Sequence, residues 1–236
     1  MIKYISFISD IHLSPQTPER FQQFKHYLNV MAPQCEAIYI LGDLFNCYAG
    51  KDQYPSFYQD ALKIMTHAAD HCAIYFLPGN RDFLAVHDLF HQTPVVILSD
   101  YEVINVFGQK TLLSHGDRFD RHYTPYQCYR TLSSKRWFCK TILSLPSSFR
   151  WKKSQALRQY SQKINHDNPN PKPPANIDYM DILAEKFRVK NIIHGHLHTP
   201  RIQTTEKYRR IILGEWVDHG HHLLMGDDES LILDSV

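Results

Sequence analysis

The stretch Ile2-Lys3-Tyr4-Ile5-Ser6-Phe7-Ile8-Ser9-Asp10-Ile11-His12 decides the fold. Its first seven residues are apolar and β-rich and read as a buried strand. Asp10 and His12 follow at the strand's carboxyl end, on one side of an extended chain. The same arrangement recurs along the sequence. Gly42-Asp43 follows apolar Ala37–Leu41, and Gly79-Asn80-Arg81-Asp82 follows Ala73–Leu77. His115-Gly116-Asp117 follows a strand predicted near 111–114, and His194-Gly195-His196-Leu197-His198 one near 191–193. In open α/β sheets sites assemble at the carboxyl ends of strands. One D-x-H is commonplace at a strand end; five polar motifs, each behind a strand, point to one centre.

Between these motifs, Thr17-Pro18-Glu19 predicts a helix start with Thr17 as N-cap, and Phe21, Phe24 and Leu28 carry it to about Val30. Phe57, Ala61, Ile64, Met65 and Ala68 mark a second helix. Further strands are predicted near 103–107, 209–213, 221–225 and 230–234. Strand–helix alternation followed by a strand-rich second half predicts an α/β sandwich of two sheets with helices outside.

With 236 residues, 43% hydrophobic and 21% charged, the chain can bury a core in one domain plus a modest insertion, which excludes global disorder. No apolar run approaches the roughly 20 residues of a membrane span, and the opening residues lack a signal-peptide pattern. Five cysteines without a C-x-x-C pair predict reduced thiols in a cytosolic protein.

The net charge of +2 hides an asymmetry: residues 118–163 hold eleven Lys or Arg and one acid, so this segment is +10 and the remainder −8. We expect core residues 1–118 and 176–236 to be interrupted by a basic, aromatic-rich helical lid at 119–175. There Trp137, Phe138, Ile142, Leu143, Leu145, Phe149 and Trp151 lie among Lys135, Arg136, Lys140, Arg150, Lys152 and Lys153. Such interleaving suits helices facing acyl chains and an anionic membrane, and argues against a nucleic-acid footprint. Pro169, Pro171, Pro173 and Pro174 suggest a hinge at its exit.

The strand-end motifs supply Asp10, His12, Asp43, Asn80, His115, His196 and His198 as candidate ligands. Seven O and N donors without a thiolate suit two divalent ions, and mixed carboxylate–imidazole ligation favours Mn²⁺, Fe²⁺ or Zn²⁺. Two carboxylates leave such a site positive, which attracts phosphate, and paired ions clamp both oxygens of a phosphoryl transfer. Arg81 is placed to aim a planar fork at phosphate oxygens; its alternative is an ion pair with Asp82. Other histidines read as helix or loop surface, and His194 as a group that orients a ligand.

This motif set, D-x-H, G-D, G-N-x-D, H-G-D and G-H-x-H, resembles that of the calcineurin-like metallophosphoesterases over residues 4–200. The resemblance implies a four-layer αββα sandwich and a dinuclear centre bridged by Asp43. Asp10, His12, Asp43 and His198 would hold one ion; Asp43, Asn80, His115 and His196 the other. Within the superfamily the chain is similar to the bacterial UDP-2,3-diacylglucosamine pyrophosphatase family. That likeness rests on Phe7–Ser14, Gly42-Asp43-Leu44-Phe45, Pro78–Phe83, Tyr126-Gln127-x-Tyr129-Arg130, Leu145-Pro146, His194–Pro200 and Leu213-Gly214-x-Trp216 with Gly220. The chain departs from that pattern at residues 121–123, at Asn46 and across 165–178.

The family resemblance implies Mn²⁺ as the expected metal and a UDP-linked diacylglucosamine lipid as substrate, cleaved to UMP and the lipid monosaccharide phosphate of lipid A synthesis. Arg81, Asn80 and His196 are the expected catalytic groups, with Asp120, Tyr126 and Trp137 added for substrate binding. A monomer is expected on the cytoplasmic face of a Gram-negative inner membrane. Two readings stay open: another nucleotide diphosphate or phosphodiester as substrate, and a non-catalytic scaffold, which predicts lost ligands.

Overall fold

The structure, a computed structural model, describes residues 2–119, 124–167 and 176–235. In chain order the main elements are β1 (Tyr4–Ile8), α1 (Pro18–Met31), β2 (Cys35–Leu41), α2 (Pro55–Ala69), β3 (Ala73–Leu77), α3 (Ala85–Asp88), β4 (Val96–Ile97), β5 (Glu102–Val106) and β6 (Gln109–Ser114). There follow α4 (Thr124–Ser133), α5 (Arg136–Leu143), α6 (Ser147–Asp167), α7 (Ile177–Phe187), β7 (Asn191–His194), β8 (Arg201–Thr204), β9 (Arg209–Ile212), β10 (His221–Gly226) and β11 (Leu231–Ser235).

The strands form two sheets, ordered β11-β10-β1-β2-β3-β4 and β5-β6-β7-β9-β8. Within them β1, β2 and β3 run parallel, as do β6, β7 and β9. Parallel strands end on the same side, so the polar motifs behind β1, β2 and β3, and those behind β6 and β7, each gather at one edge.

Side-chain alternation divides the core. Ile5, Phe7, Tyr39, Leu41 and Leu77 point between the sheets and meet Leu113, Ile193 and Ile211. Ile8, Ile38, Ile40 and Phe76 share a cluster with Phe24 and Leu28 of α1 and Ala61 and Met65 of α2. On the second sheet Leu112 and Ile192 pack with Met180, Leu183 and Ala184 of α7. The result is the expected αββα sandwich. Each fully buried Leu, Ile or Phe contributes roughly 1.5–3 kcal/mol.

Three details differ from the sequence reading. Thr17 precedes α1 but its side chain caps nothing; its hydroxyl faces the Ser14 carbonyl at 3.5 Å. The two-residue β4 and the polar β8, Arg201-Ile202-Gln203-Thr204, lie at sheet edges and carry no apolar period. The short α3 likewise has no repeat to read.

Most of the described residues of segment 119–175 lie in three helices, α4, α5 and α6. The side chains predicted as an apolar lid divide in two. Ile142 and Leu143 pack against the core cluster that also holds Cys139 of α5 and the buried faces of α1 and α2, and the Trp151 ring lies 5.9 Å from that of Tyr54. Trp137, Leu145 and Phe149 are exposed, Trp137 by 62%. The proposed hinge at Pro169–Pro174, Asp120 and residues 121–123 lie outside the described residues.

Candidate metal centre

Asp10, His12, Asp43, His196 and His198 all adopt left-handed backbone, with φ between 52° and 69°. For residues with a side chain this conformation costs roughly 1–2 kcal/mol each. The loops hold it by hydrogen-bonding one another: Asp10 N donates to Gly42 O at 3.0 Å and His12 N to Asp43 O at 3.0 Å. Gly195 N likewise donates to His115 O at 2.9 Å. Two glycines are obligatory by crowding. A Cβ on Gly79 would stand 2.2 Å from Asp43 Oδ1, and one on Gly195 2.2 Å from Asp10 Oδ2.

These turns bring the donors together from both sheets. Asp10, His12 and His198 form one cluster and Asp10, Asp43 and His115 another, with ligand atoms within 4.8 Å of each other in each. Asp10 therefore falls in both clusters. Asn80 Oδ1 lies 3.1 Å from His115 Nε2, and the His196 ring is 5.1 Å from that of His115.

Hydrogen-bond chemistry tests whether this set fits metal ions. His115 Nδ1 lies 2.9 Å from the Leu41 carbonyl and donates to it. Its Nε2 then faces only acceptors, Asn80 Oδ1 and, at 3.6 Å, Asp43 Oδ1. His198 Nδ1 donates to Glu215 Oε2 at 3.0 Å, which turns its Nε2 toward Asp10 Oδ1 at 3.1 Å. His12, 3% exposed, has no hydrogen-bond partner on either ring nitrogen among the described residues. Its Nε2 is 3.9 Å from Asp10 Oδ1. Ring nitrogens and carboxylate or amide oxygens facing one another in a buried site need a proton or a cation between them. The donor set fits divalent ions.

The electrostatics agree. Burial pushes the His12 imidazolium pKa well below its usual value, and Arg81 adds to this, so the ring is neutral and able to ligate. Burial also opposes charge on Asp10. The hydrogen bond from His198 leads the contacts that outweigh it and hold the carboxyl well below the usual range.

Among the described residues Arg81 does not form the ion pair with Asp82 that its position also allowed. Its Nε lies 3.1 Å from Asp43 Oδ2 and its Nη1 donates to Asn46 Oδ1 at 3.1 Å. Asp82 is instead fully buried. It accepts from Gly79 N at 2.8 Å, Leu44 N at 2.6 Å and Phe45 N at 3.3 Å, clamping the Asp43 loop to the Asn80 loop. Burial, then the charge of Asp43, pushes its pKa up to about 7.

Tyr126 is turned inward, its hydroxyl donating to Asp117 Oδ2 at 2.8 Å. Trp137 stands exposed on α5, its ring meeting Phe138. His194 is buried between Gly195 O and Arg210 Nε, at 2.8 and 3.0 Å. Burial and then Arg210 push its pKa down to about 3.

Sequence reasoning missed Ser9, whose hydroxyl donates to Asp10 Oδ2 at 2.7 Å. It also missed Asp82, Asp117, Arg130 and Glu215. Asp82 and Asp117 sit inside motifs already noted. Glu215 occupies the variable position of Leu213-Gly214-x-Trp216, where only proximity to His198 reveals it.

Fold and site together define a metal-dependent phosphoester hydrolase, and the chain belongs to the calcineurin-like phosphoesterase family, whose sequence model matches residues 4–200. The chain is 33% identical over 219 residues to a UDP-2,3-diacylglucosamine hydrolase of Histophilus somni, covering 91% of this chain and 93% of that one. It is 33% identical over 236 residues to one from Coxiella burnetii, covering 98% and 97%. Among solved structures, vacuolar protein sorting 29 from Cryptosporidium parvum is similar with a TM-score of 0.50 and 11% identity, covering 100% of this chain and 97% of that one. That likeness concerns the fold alone.

Proposed function

We propose that this protein hydrolyses the pyrophosphate of UDP-2,3-diacylglucosamine, releasing UMP and 2,3-diacylglucosamine 1-phosphate for lipid A synthesis. One observation carries the substrate: one-third identity to UDP-2,3-diacylglucosamine hydrolases extends over nearly the whole chain, the basic helical segment included.

Asp10, His12, Asp43 and His198 are the residues we assign to one divalent ion, and Asp43, Asn80, His115 and His196 to the other, with Mn²⁺ as the metal. When bound, such ions polarise phosphoryl oxygens and lower the pKa of water toward 7. The protein's part is to position. Asp43 and Asn46 hold the Arg81 guanidinium by Nε and Nη1. Its Nη2 meets no protein acceptor among the described residues, and its side chain is 34% exposed. That free edge can take two oxygens of a diphosphate. Asn80 and His196, which both lie against His115, are the other groups we assign to the reacting phosphate.

The basic helical segment supplies the lipid side. Trp137 on α5, Leu145 in the turn between α5 and α6, and Phe149 on α6 are exposed near Arg136, Lys140, Lys152 and Lys153 in sequence. Burying such side chains in acyl chains while cations meet anionic headgroups attaches a protein to a membrane surface, at about 1 kcal/mol per cation. No helix among the described residues is long and apolar enough to cross a membrane. We assign a peripheral attachment, on the cytoplasmic side, of a monomer.

The test is turnover by purified protein with Mn²⁺ on UDP-2,3-diacylglucosamine, UDP-glucose and a generic phosphodiester. Strong preference for the first is expected. Equal or greater turnover of either other compound contradicts the substrate assignment.

A further inference from the structure

The first helix of the basic segment is fastened to the metal-site loop by a buried ion pair. Asp117 closes His115-Gly116-Asp117 and Arg130 lies on α4; each side chain is 1% exposed. Arg130 Nε donates to Asp117 Oδ2, the oxygen that also accepts the Tyr126 hydroxyl. Gln127 Nε2 donates to the Asp117 carbonyl at 3.1 Å. Behind them Arg130 Nη2 reaches Asp100 Oδ1 at 3.4 Å. Arg118 Nη2 bonds Asp100 Oδ2 at 2.6 Å and the Arg130 carbonyl at 2.8 Å. Tyr126 and Arg130, four residues apart, share the helix face turned to Asp117.

On the other side Asp117 stands two residues from His115, on the same loop. Its Oδ1 has no hydrogen-bond partner among the described residues.

We infer that Arg130 is a positioning residue: through Asp117 it sets the loop that carries His115, making α4 part of the metal-site scaffold. This rests on the metal-centre reading above. A buried ion pair is a poor stabiliser, since apolar residues of similar volume often hold a fold as well or better. What such a pair supplies is a defined geometry, and here the geometry is that of a loop two residues from a candidate ligand. Arg150 gives the contrast. It is buried to a similar degree, at 7% exposure, and anchors α6 through the Ala49 carbonyl and Asp52. Neither of these residues adjoins a candidate ligand.

The experiment is Mn²⁺ titration calorimetry on metal-free full-length protein, with thermal melts alongside. Wild type is compared with R130K, the apolar pair R130M/D117L, and R150M. Lysine keeps the charge but cannot reproduce the guanidinium's planar set of donors. R130K should bind at least one Mn²⁺ about tenfold or more weakly, the size of effect seen when a ligand's supporting partner is lost. R130M/D117L should melt cooperatively near wild type yet keep the binding defect. R150M should melt earlier and bind Mn²⁺ as wild type does. The inference is overturned by wild-type Mn²⁺ binding in R130K and the apolar pair, by an equal binding loss in R150M, or by an apolar pair that fails to fold. Wild-type protein that binds no divalent ion would remove the metal centre itself, a separate result recognisable before any variant is made.

Discussion

Glu215 Oε2 lies 3.0 Å from His198 Nδ1, and on the far side of the same ring Asp10 Oδ1 lies 3.1 Å from Nε2. The ring is thus held between two carboxylates, Glu215 fixing the tautomer and Asp10 facing the nitrogen we assign to a metal ion. A carboxylate behind a ligating histidine both orients it and raises its basicity. Glu215→Ala should weaken Mn²⁺ binding by about 10–100-fold, while Glu215→Gln, whose amide oxygen still accepts from Nδ1, should lose less. Equal Mn²⁺ affinity in wild type and Glu215→Ala, measured by calorimetry, would remove this role.

The Asp43 carboxylate makes three contacts with two residues: Arg81 through both side chain and backbone N–H, and His115. Asp43→Ala should lower kcat/KM with Mn²⁺ by several orders of magnitude. Retention of more than a tenth of the wild-type rate contradicts its placement at the centre.

For Arg81 the expected loss comes from geometry rather than charge. Arg81→Lys keeps the cation but cannot span Asp43, Asn46 and a phosphate at once. We predict a drop in kcat/KM of more than about tenfold, roughly 1.4 kcal/mol of transition-state stabilisation. An unchanged value would leave Arg81 as a structural partner of Asp43.

The exposed Trp137 separates lipid recognition from phosphate chemistry. Trp137→Ser should slow turnover of the diacylated substrate and leave a deacylated analogue unaffected. Sedimentation with anionic vesicles should also fall as salt rises. Equal slowing on both substrates contradicts an acyl contact, and protein that never sediments with vesicles contradicts membrane attachment.

What the sequence made legible was whatever repeats with a period or ends a strand. Phe7, Tyr39 and Ile193 alternate with residues of the opposite face, so their strands and the polar motifs behind them could be read directly. β8 escaped notice because an edge strand of Arg201-Ile202-Gln203-Thr204 has one face in water and little to bury. Thr17 has the composition of an N-cap, yet φ of −130° leaves it without a side-chain capping bond. At the site, Asp10, His12 and His198 announced themselves by type and spacing. Asp82, Glu215 and Arg130 act on those residues from a distance in sequence: Asp82 reaches back 38 residues to Leu44 and Arg130 13 residues to Asp117. Only the fold brings such pairs together. Tyr126 was noticed, but its burial against Asp117 depends on how α4 docks, which no local pattern encodes.

The central claim is that two divalent ions, held by donors from five strand ends, carry the hydrolysis. The most direct measurement strips the purified protein of metal and follows UMP release from UDP-2,3-diacylglucosamine as Mn²⁺ is titrated back. The account predicts no turnover in the stripped protein and recovery that saturates near two equivalents per chain. Turnover that persists without divalent ion, or saturates at one equivalent, would contradict it.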